Sequence, residues 1–216
     1  MQPSTIRQGP RERILIHVSD RFLQDGFARV SVDQIAADLI MSKKTFYKVF
    51  PSKEHLVEQV IESLLDQIRS HLSRIQESEA TFIVKFHQVM TFLGQVGSRI
   101  GKPFLQDLQQ QTPQLWARIE TFRRDRITQV FSRLLDQGVR EGYVRRNISK
   151  HMFLRCYLAA VEAVVNPTVL MHESFSAQEA IQSILEMFFH GVLTNTGSKT
   201  LLRLQRRETL YHPKDR

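Results

Sequence analysis

Apolar residues recur at intervals of three and four along almost the whole chain, and this spacing constrains the fold more than any other feature. Near the amino terminus, for example, Ile14, Val18 and Phe22 fall on one stripe of a helix. No segment shows the strict alternation of apolar and polar residues that indicates a half-buried strand. The sequence therefore predicts an all-α fold.

The apolar spacing and the capping residues at its ends predict about nine helices. Gly26 is suited to end the first helix in a left-handed conformation. The basic segment from Lys199 to Arg216 is interpreted as a frayed tail or, alternatively, as an extension of the last helix. The predicted helices span approximately residues 11–24, 31–39, 43–49, 52–74, 81–96, 103–111, 113–138, 149–165 and 177–194.

Composition limits the class of protein and its partners. The formal net charge of +8 favours a polyanionic partner, although a basic chain can also be merely soluble. The single cysteine, Cys156, lies in a mostly apolar stretch and is expected to be a buried, inert thiol in a reducing compartment. No apolar run is long enough to suggest a membrane-spanning helix, so a cytoplasmic location is expected.

Two short predicted helices joined by a tight turn form a helix-turn-helix pattern. Ser31 and Gln34 have the spacing of a capping box at the start of the first of them, and Ser42 is a good N-cap for the second. In such motifs the amino-terminal residues of the second helix enter the major groove of DNA. Phe46 and Phe50, one turn apart, are expected to face inward and hold this helix on the core.

The residues at the tip of the second helix carry the chemistry for reading DNA. Lys43 and Lys44 can donate hydrogen bonds to guanine, and the methyl group of Thr45 can contact a thymine methyl group. Residues around the tip carry hydroxyl or ammonium groups suited to phosphate oxygens, and these are Ser31, Tyr47, Lys48 and Lys53. Taken alone, however, the same pattern can be an exposed corner of a helical bundle.

The stretch from Gly26 to Leu56 resembles the signature of TetR-family transcription regulators. The matching segments are Gly-Phe at 26–27, Ser-Val-Asp-Gln-Ile-Ala at 31–36 and Ser-Lys-Lys-Thr-Phe-Tyr-Lys-Val-Phe-Pro-Ser-Lys-Glu-His-Leu at 42–56. The resemblance implies the same roles in base and phosphate contacts for the residues named above. The chain departs from the family pattern at Ile40 and Lys44, two positions where glycine is frequent. A β-branched residue is costly at positive φ, so the turn at Ile40 is expected to be remodelled or strained.

The resemblance also implies a domain organisation and a homodimer. Residues 1–55 would form a three-helix DNA-binding domain, residues 56–196 a larger helical-bundle domain for effector binding and dimerisation, and residues 197–216 a basic tail. Two late helices have apolar faces broad enough to pack against a second subunit, although burial within one subunit is the alternative. The predicted dimer residues are Phe153, Tyr157, Ala160, Val164, Ile184 and Phe188.

The middle of the chain is rich in aromatic residues that can line a cavity for a small, largely apolar effector or can simply be core. Glu162 stands in an otherwise apolar helix and needs a partner, which can be an arginine, a cationic ligand or solvent. The candidate effector residues are Phe86, Met90, Phe104, Trp116 and Glu162.

The functional expectation is a sequence-specific DNA-binding regulator, with repression as the family default and release from a pseudo-palindromic operator by the effector. The alternative is a DNA-bound helical adaptor whose larger domain binds another protein. No catalytic, metal or cofactor motif is present: the eight histidines lack metal-ligand spacing, and no glycine-rich phosphate loop occurs. An enzyme, a metal and a cofactor are therefore not expected.

Overall fold

The computed structural model describes residues 9–211, with side chains described as far as residue 206. These residues form helices and no named strand, which confirms the predicted all-α class. The eleven helices are α1 (Pro10–Asp25), α2 (Val32–Asp38), α3 (Lys43–Val49), α4 (Lys53–Glu77), α5 (Phe82–Ser98), α6 (Lys102–Gln111), α7 (Pro113–Arg140), α8 (Lys150–Val164), α9 (Pro167–His172), α10 (Ala177–His190) and α11 (Asn195–Tyr211).

Two of these helices lie beyond the nine that the sequence predicts. Helix α9 has only six residues, too few for a periodic pattern, but Asn166 caps it by accepting a hydrogen bond from the backbone N–H of Val169 at 3.0 Å. Helix α11 replaces the predicted frayed tail or helix extension. It is separated from α10 by a turn and is capped by the preceding residue, Thr194, whose hydroxyl accepts from the Gly197 N–H at 3.1 Å.

Helix α11 is held by burial as well as by its cap. Leu201 is buried in the core of the larger domain, and the helix packs against α5. Leu204 is partly buried against the same core, whereas Lys199 and Arg203 are exposed, so the helix docks by an apolar face and keeps its basic residues in solvent. The last part of the predicted tail, residues 212–216, lies outside the described residues.

The amino-terminal core joins the first three helices to part of the larger domain. Buried side chains of α1, α2 and α3 pack with the first half of α4 and with Phe104, Leu108 and Leu115 from α6 and α7. Phe46 and Phe50 are fully buried in this core, as the sequence predicts. The helix-turn-helix therefore shares one continuous apolar core with the helices that follow it.

The second core fills the larger domain and corrects part of the predicted dimer surface. Phe153, Tyr157 and Ile184 are buried among their own subunit's side chains, for instance with Tyr157 and Phe131 ring centroids 5.0 Å apart. Because these three faces are already covered, they cannot supply new contact area to a partner. Ala160, Val164 and Phe188 are only partly buried and remain at the edge of the core.

The outward faces of α8 and α10 carry different residues from those predicted. Met152 is 58% exposed and Met187 is 64% exposed, and Cys156 is exposed rather than buried as expected. The buried face of α8 follows Phe153, Tyr157 and Val161, and position 156 lies about 100° around the helix from Tyr157, at the margin of that face. None of the helices in residues 9–211 combines the length and the apolar character that crossing a membrane requires.

Candidate nucleic-acid interface and effector cavity

Helix α2 begins with the predicted capping box. The hydroxyl oxygen of Ser31 accepts from the Gln34 N–H at 3.2 Å, while the side-chain oxygen of Gln34 accepts from the Ser31 N–H at 2.9 Å. The hydroxyl proton of Ser31 is not used by this cap, so it can donate to a phosphate oxygen. Ser31 is exposed, as that role requires.

Helix α3 spans Lys43–Val49, in agreement with the predicted boundaries. The hydroxyl of Ser42 caps it by accepting from the Thr45 N–H at 3.0 Å, and the two side-chain hydroxyls of Ser42 and Thr45 lie 2.9 Å apart. Thr45 is half-buried, and the contact with Ser42 engages its hydroxyl at the cap. Its methyl group is the part of the side chain that remains for an apolar contact.

The basic side chains of α3 lie on its outer surface. Lys43, Lys44 and Lys48 are exposed, and Tyr47 is 49% exposed with its ring packed edge-on against buried Phe46. Phe46 thus anchors α3 on the core, while the opposite side of the helix exposes the lysine ammonium groups and the Tyr47 hydroxyl to solvent. This arrangement suits a helix that approaches a polyanionic groove.

Lys53 has a structural role that the sequence did not indicate. Its ammonium donates to the backbone oxygen of Ala28 at 3.0 Å, which joins the start of α4 to the loop between α1 and α2. Burial lowers the pKa of Lys53, and the nearby carboxylate of Asp107 opposes that change. An ammonium has three donors, so two stay available for other acceptors.

The turn between α2 and α3 keeps the geometry of a Schellman motif, with isoleucine in place of glycine. The Met41 N–H donates to the Ala36 oxygen at 2.9 Å and the Ile40 N–H to the Ala37 oxygen at 3.1 Å. Ile40 has a φ of +52° and is 95% exposed. The expected strain is therefore present, and no burial of the isoleucine side chain offsets it.

Three residues of the interface were not found from the sequence. Arg13 on α1 donates to the Leu39 oxygen at 3.0 Å and so supports the turn before Ile40. Asp33 forms an ion pair with Lys43, and Arg29 is exposed just before the cap of α2. Arg29 could have been found from the sequence, because it lies two residues before Ser31. Arg13 and Asp33 could not, because their partners, Leu39 and Lys43, lie far from them in the chain.

A cavity of about 190 Å³ lies within the larger domain, bounded by side chains from α4 to α10. Phe104 and Trp116 line it, as the sequence suggests, together with Phe122. Phe86 and Met90 do not line it. They are buried in the core beside it, where the Phe86 and Phe189 rings stack with centroids 4.1 Å apart.

Glu162 is also absent from the cavity wall, and its partner is an arginine. The carboxylate of Glu162 pairs with Arg124 at 3.0 Å near the surface. Of the three possible partners of Glu162, an arginine, a cationic ligand or solvent, the structure shows the arginine. Glu162 therefore has no place among the residues that could orient a ligand in the cavity.

Two arginines interrupt an otherwise apolar wall. The guanidinium of Arg123 lies over the Trp116 ring at 5.5 Å and donates through Nη1 to the Val165 oxygen at 2.6 Å. Arg126 lies over the Phe122 ring at 5.8 Å. Burial lowers the pKa of Arg123, because taking the charge out of water disfavours the charged form.

Helix α6 connects the cavity with the loop that leads into the helix-turn-helix. Phe104, Leu105 and Leu108 on α6 line the cavity, while Asp107 on the same helix accepts from the N–H groups of Phe27 at 2.6 Å and Ala28 at 2.7 Å. The amino-terminal end of α6 is also held against α1.

Two further contacts secure that start. The Gly101 N–H donates to the Leu23 oxygen at 2.9 Å, and Arg99 pairs with Asp20 at 2.9 Å. A shift of α6 would therefore displace the end of α1 and the loop that leads to α2.

Gly26 allows this close contact. Its φ of +83° and ψ of 166° differ from the left-handed helical conformation expected at this helix end and fall in a region that glycine alone occupies readily. A Cβ atom there would lie 2.6 Å from Oδ2 of Asp107. Glycine thus ends α1 and also makes room for the Asp107 carboxylate.

Comparisons with known proteins agree with this arrangement. Residues 20–60 match the family described as "Bacterial regulatory proteins, tetR family". An HTH-type transcriptional regulator of Bacillus subtilis strain 168, YvaF, is 26% identical over 182 residues, which are 84% of this chain and 94% of that protein. Its own function is uncharacterised.

Solved regulators share the fold at lower identity. A transcriptional regulator from Cytophaga hutchinsonii has a TM-score of 0.64 at 19% identity, covering 87% of this chain and 100% of that one. SmeT, described as the repressor of the Stenotrophomonas maltophilia multidrug efflux pump SmeDEF, has a TM-score of 0.60 at 17% identity, covering 87% and 92%. With the capped helix-turn-helix and its exposed lysines, the family match over residues 20–60 and the similarity to the Bacillus regulator support a DNA-binding transcriptional regulator of the TetR family.

Proposed function

We propose that this regulator is a repressor that binds a pseudo-palindromic operator as a homodimer and is released by a small molecule in the cavity. The observation that carries the proposal is the double role of α6. One part of its surface lines the cavity, and Asp107 holds the loop between α1 and α2. A ligand that shifts α6 would change the placement of the recognition helix, which is the differential affinity that release requires.

In this proposal Lys43, Lys44 and Thr45 contact bases, whereas Ser31, Tyr47, Lys48 and Lys53 contact phosphates. The exposure of the three α3 lysines and of Tyr47 supports these roles. Residues 1–55 would bind DNA in the cytoplasm, and residues 56–196 would bind the effector and the second subunit. Catalysis forms no part of the proposed function.

The homodimer is proposed to form through the outward faces of α8 and α10. Exposed Met152 and Met187 and half-buried Phe188 supply apolar area there, and exposed Ala159 and Ala163 allow close approach of two helices. Two recognition helices related by a two-fold axis would read half-sites about one helical turn apart or a little more.

The dimer surface can be tested with Met187→Glu. A charge in an apolar interface should shift the protein toward monomer in sedimentation velocity, and the exposed cysteine, Cys156, should then react faster with a maleimide. Glu186→Gln, an exposed neighbour on α10, is the matched control. Unchanged sedimentation of Met187→Glu would place the interface elsewhere.

The cavity favours a small-molecule effector over the alternative of a protein-binding adaptor, because an adaptor needs no internal space. The experiment is selection of bound sequences from random duplexes, followed by titration of candidate ligands against the selected operator. Palindromic enrichment and ligand-dependent release are expected. Enrichment without symmetry, or tight ligands that leave DNA affinity unchanged, would overturn the repressor mechanism.

A further inference from the structure

Arg123, a residue of the cavity wall, has two hydrogen-bond donors without a partner. The Nε and Nη2 atoms of this side chain are buried and have no hydrogen-bond partner, while Nη1 is already occupied by the Val165 oxygen. Nε and Nη2 form one edge of the planar guanidinium, the edge that binds both oxygens of a carboxylate at once. The unoccupied side of Arg123 therefore matches a carboxylate in shape and charge.

The second arginine of the wall repeats the feature. The Nε atom of Arg126 is also buried without a partner, and its Nη1 donates to Gln129 at 2.8 Å. Within the described part of the chain, no carboxylate forms an ion pair with Arg123 or Arg126, since Glu162 is paired with Arg124. The carboxylates of Glu120 and Glu162 are near enough to oppose the lowering of the Arg123 pKa, but neither accepts a hydrogen bond from its Nε or Nη2 atom. These donors in the apolar wall therefore still lack an acceptor.

Such an arrangement is unfavourable for the empty protein. A buried donor without a partner loses the hydrogen bonds it had with water, and a buried cation loses more. The other lining side chains are apolar apart from Tyr157 and the indole of Trp116. The Tyr157 hydroxyl is the one acceptor among them, and it forms no hydrogen bond with the unpaired nitrogens of Arg123 and Arg126. An entering anion would satisfy the donors and cover the apolar wall together.

The size of the cavity limits the body of that ligand. At about 190 Å³ it is somewhat larger than the ~150 Å³ engineered cavity that binds benzene. It suits a single ring or a chain of medium length. A dianionic phosphate would carry a second charge into the same apolar surroundings, which makes the carboxylate the better match.

We propose that the effector is a carboxylic acid with an apolar body, whose carboxylate binds the Nε–Nη2 edge of Arg123 with Arg126 beside it and whose body contacts Trp116 and Phe122. This inference rests on the proposed role of the cavity as the effector site, and it names the chemical class of the effector.

The test uses the full-length protein without DNA, so that ligand binding is measured apart from operator release. Trp116 is the only tryptophan in the chain and lines the cavity, so its fluorescence reports occupation. The probes are octanoate and octanamide, which have the same chain and differ in charge. Octanoate should bind at least about tenfold more tightly than octanamide, because only the carboxylate forms charge-assisted hydrogen bonds with the arginine edge.

The variant Arg123→Gln should bind the two probes about equally, and Arg123→Lys should recover only part of the preference, since an ammonium lacks the planar edge. The control is Arg133→Gln, an exposed arginine on the same helix that does not line the cavity, and it should keep the full preference. Equal binding of both probes to the unmodified protein would overturn the proposal, as would the absence of saturable binding. That comparison does not depend on whether the variants fold.

The measurements distinguish failure of the proposed function from failure of the proposed ligand class. If octanoate binds through Arg123 but leaves operator affinity unchanged, the ligand class stands and the release mechanism fails. If operator release occurs with neutral ligands alone, the release mechanism stands and the carboxylate assignment is wrong.

Discussion

The Oδ2 atom of Asp107 on α6 lies 2.6 Å from the backbone nitrogen of Phe27, immediately after the end of α1. The same oxygen accepts from the Ala28 N–H. Both amides belong to the loop that leads into the helix-turn-helix, and both depend on this one buried carboxylate. Asp107 is therefore the point at which movement of the cavity wall would reach the DNA-binding motif.

Replacing Asp107 should separate ligand binding from DNA release. Asp107→Ala leaves two amides without their acceptor, so we expect the free energy of unfolding to fall by about 1–3 kcal/mol. The ligand should still bind, while its effect on operator affinity should shrink. Both affinities can be measured by fluorescence titration, with exposed Gln106→Ala as the control. An undiminished effect of ligand on operator affinity would show that coupling runs through another contact.

Gly26→Ala should destabilise the protein for two separable reasons. The new Cβ atom would lie 2.6 Å from Asp107 Oδ2, and the backbone there has positive φ. Gly142→Ala tests the second cause alone, because Gly142 has a φ of +76° with open space around it. We expect a loss of about 1 kcal/mol at Gly142 and a larger loss at Gly26 in chemical denaturation.

Gly9→Ala is the control for both glycine variants, since Gly9 has a φ of −65° and nothing within 4 Å of an added Cβ atom. Its free energy of unfolding should stay near that of the unmodified protein. Equal losses at Gly26 and Gly142 would mean that the Asp107 contact adjusts without cost.

Ile40→Gly should stabilise the protein by about 1 kcal/mol, because it relieves a β-branched residue from positive φ in the turn. Ile16→Gly provides a control of opposite sign: Ile16 is also exposed but lies within α1, where glycine is a poor helix former. In thermal unfolding, the melting temperature should rise for Ile40→Gly and fall for Ile16→Gly. A lower melting temperature for Ile40→Gly would indicate that the isoleucine side chain contributes contacts that outweigh its backbone strain.

Asp33→Asn should strengthen DNA binding. Asp33 pairs with Lys43 at the edge of the proposed interface, so the acid would both neutralise a lysine that is proposed to contact bases and repel phosphates. We expect tighter binding and a steeper dependence of affinity on salt in fluorescence anisotropy. Asp25→Asn, on the exposed end of α1, is the control. Weaker binding by Asp33→Asn would mean that the ion pair positions Lys43 for the groove.

Local features were predictable from the sequence, since their partners lie three or four residues away. Ser31 and Ser42 cap the helices that they were predicted to begin, and α3 has the predicted ends. The strain at Ile40 was also predictable, because the motif requires positive φ there whatever residue is present.

Features that depend on distant partners were not predictable. Phe153 and Cys156 both lie in an apolar stretch, and only packing decides which faces inward. Helix α9 is too short to show a period, and the contact of Asp107 with Phe27 joins residues 80 positions apart. Arg123 lies in the wall of a cavity that seven helices surround, and no local pattern in the sequence encodes such an arrangement.

Recognition of DNA by the tip of α3 is tested most directly by the affinity of Lys44→Ala for a selected operator and for a scrambled duplex, measured over a range of salt. The affinity for the operator should fall by about 1–3 kcal/mol, and the preference over the scrambled duplex should narrow. Lys199→Ala, an exposed lysine on α11, should match the unmodified protein. Operator affinity that is unchanged in Lys44→Ala and insensitive to salt would contradict a recognition role for α3.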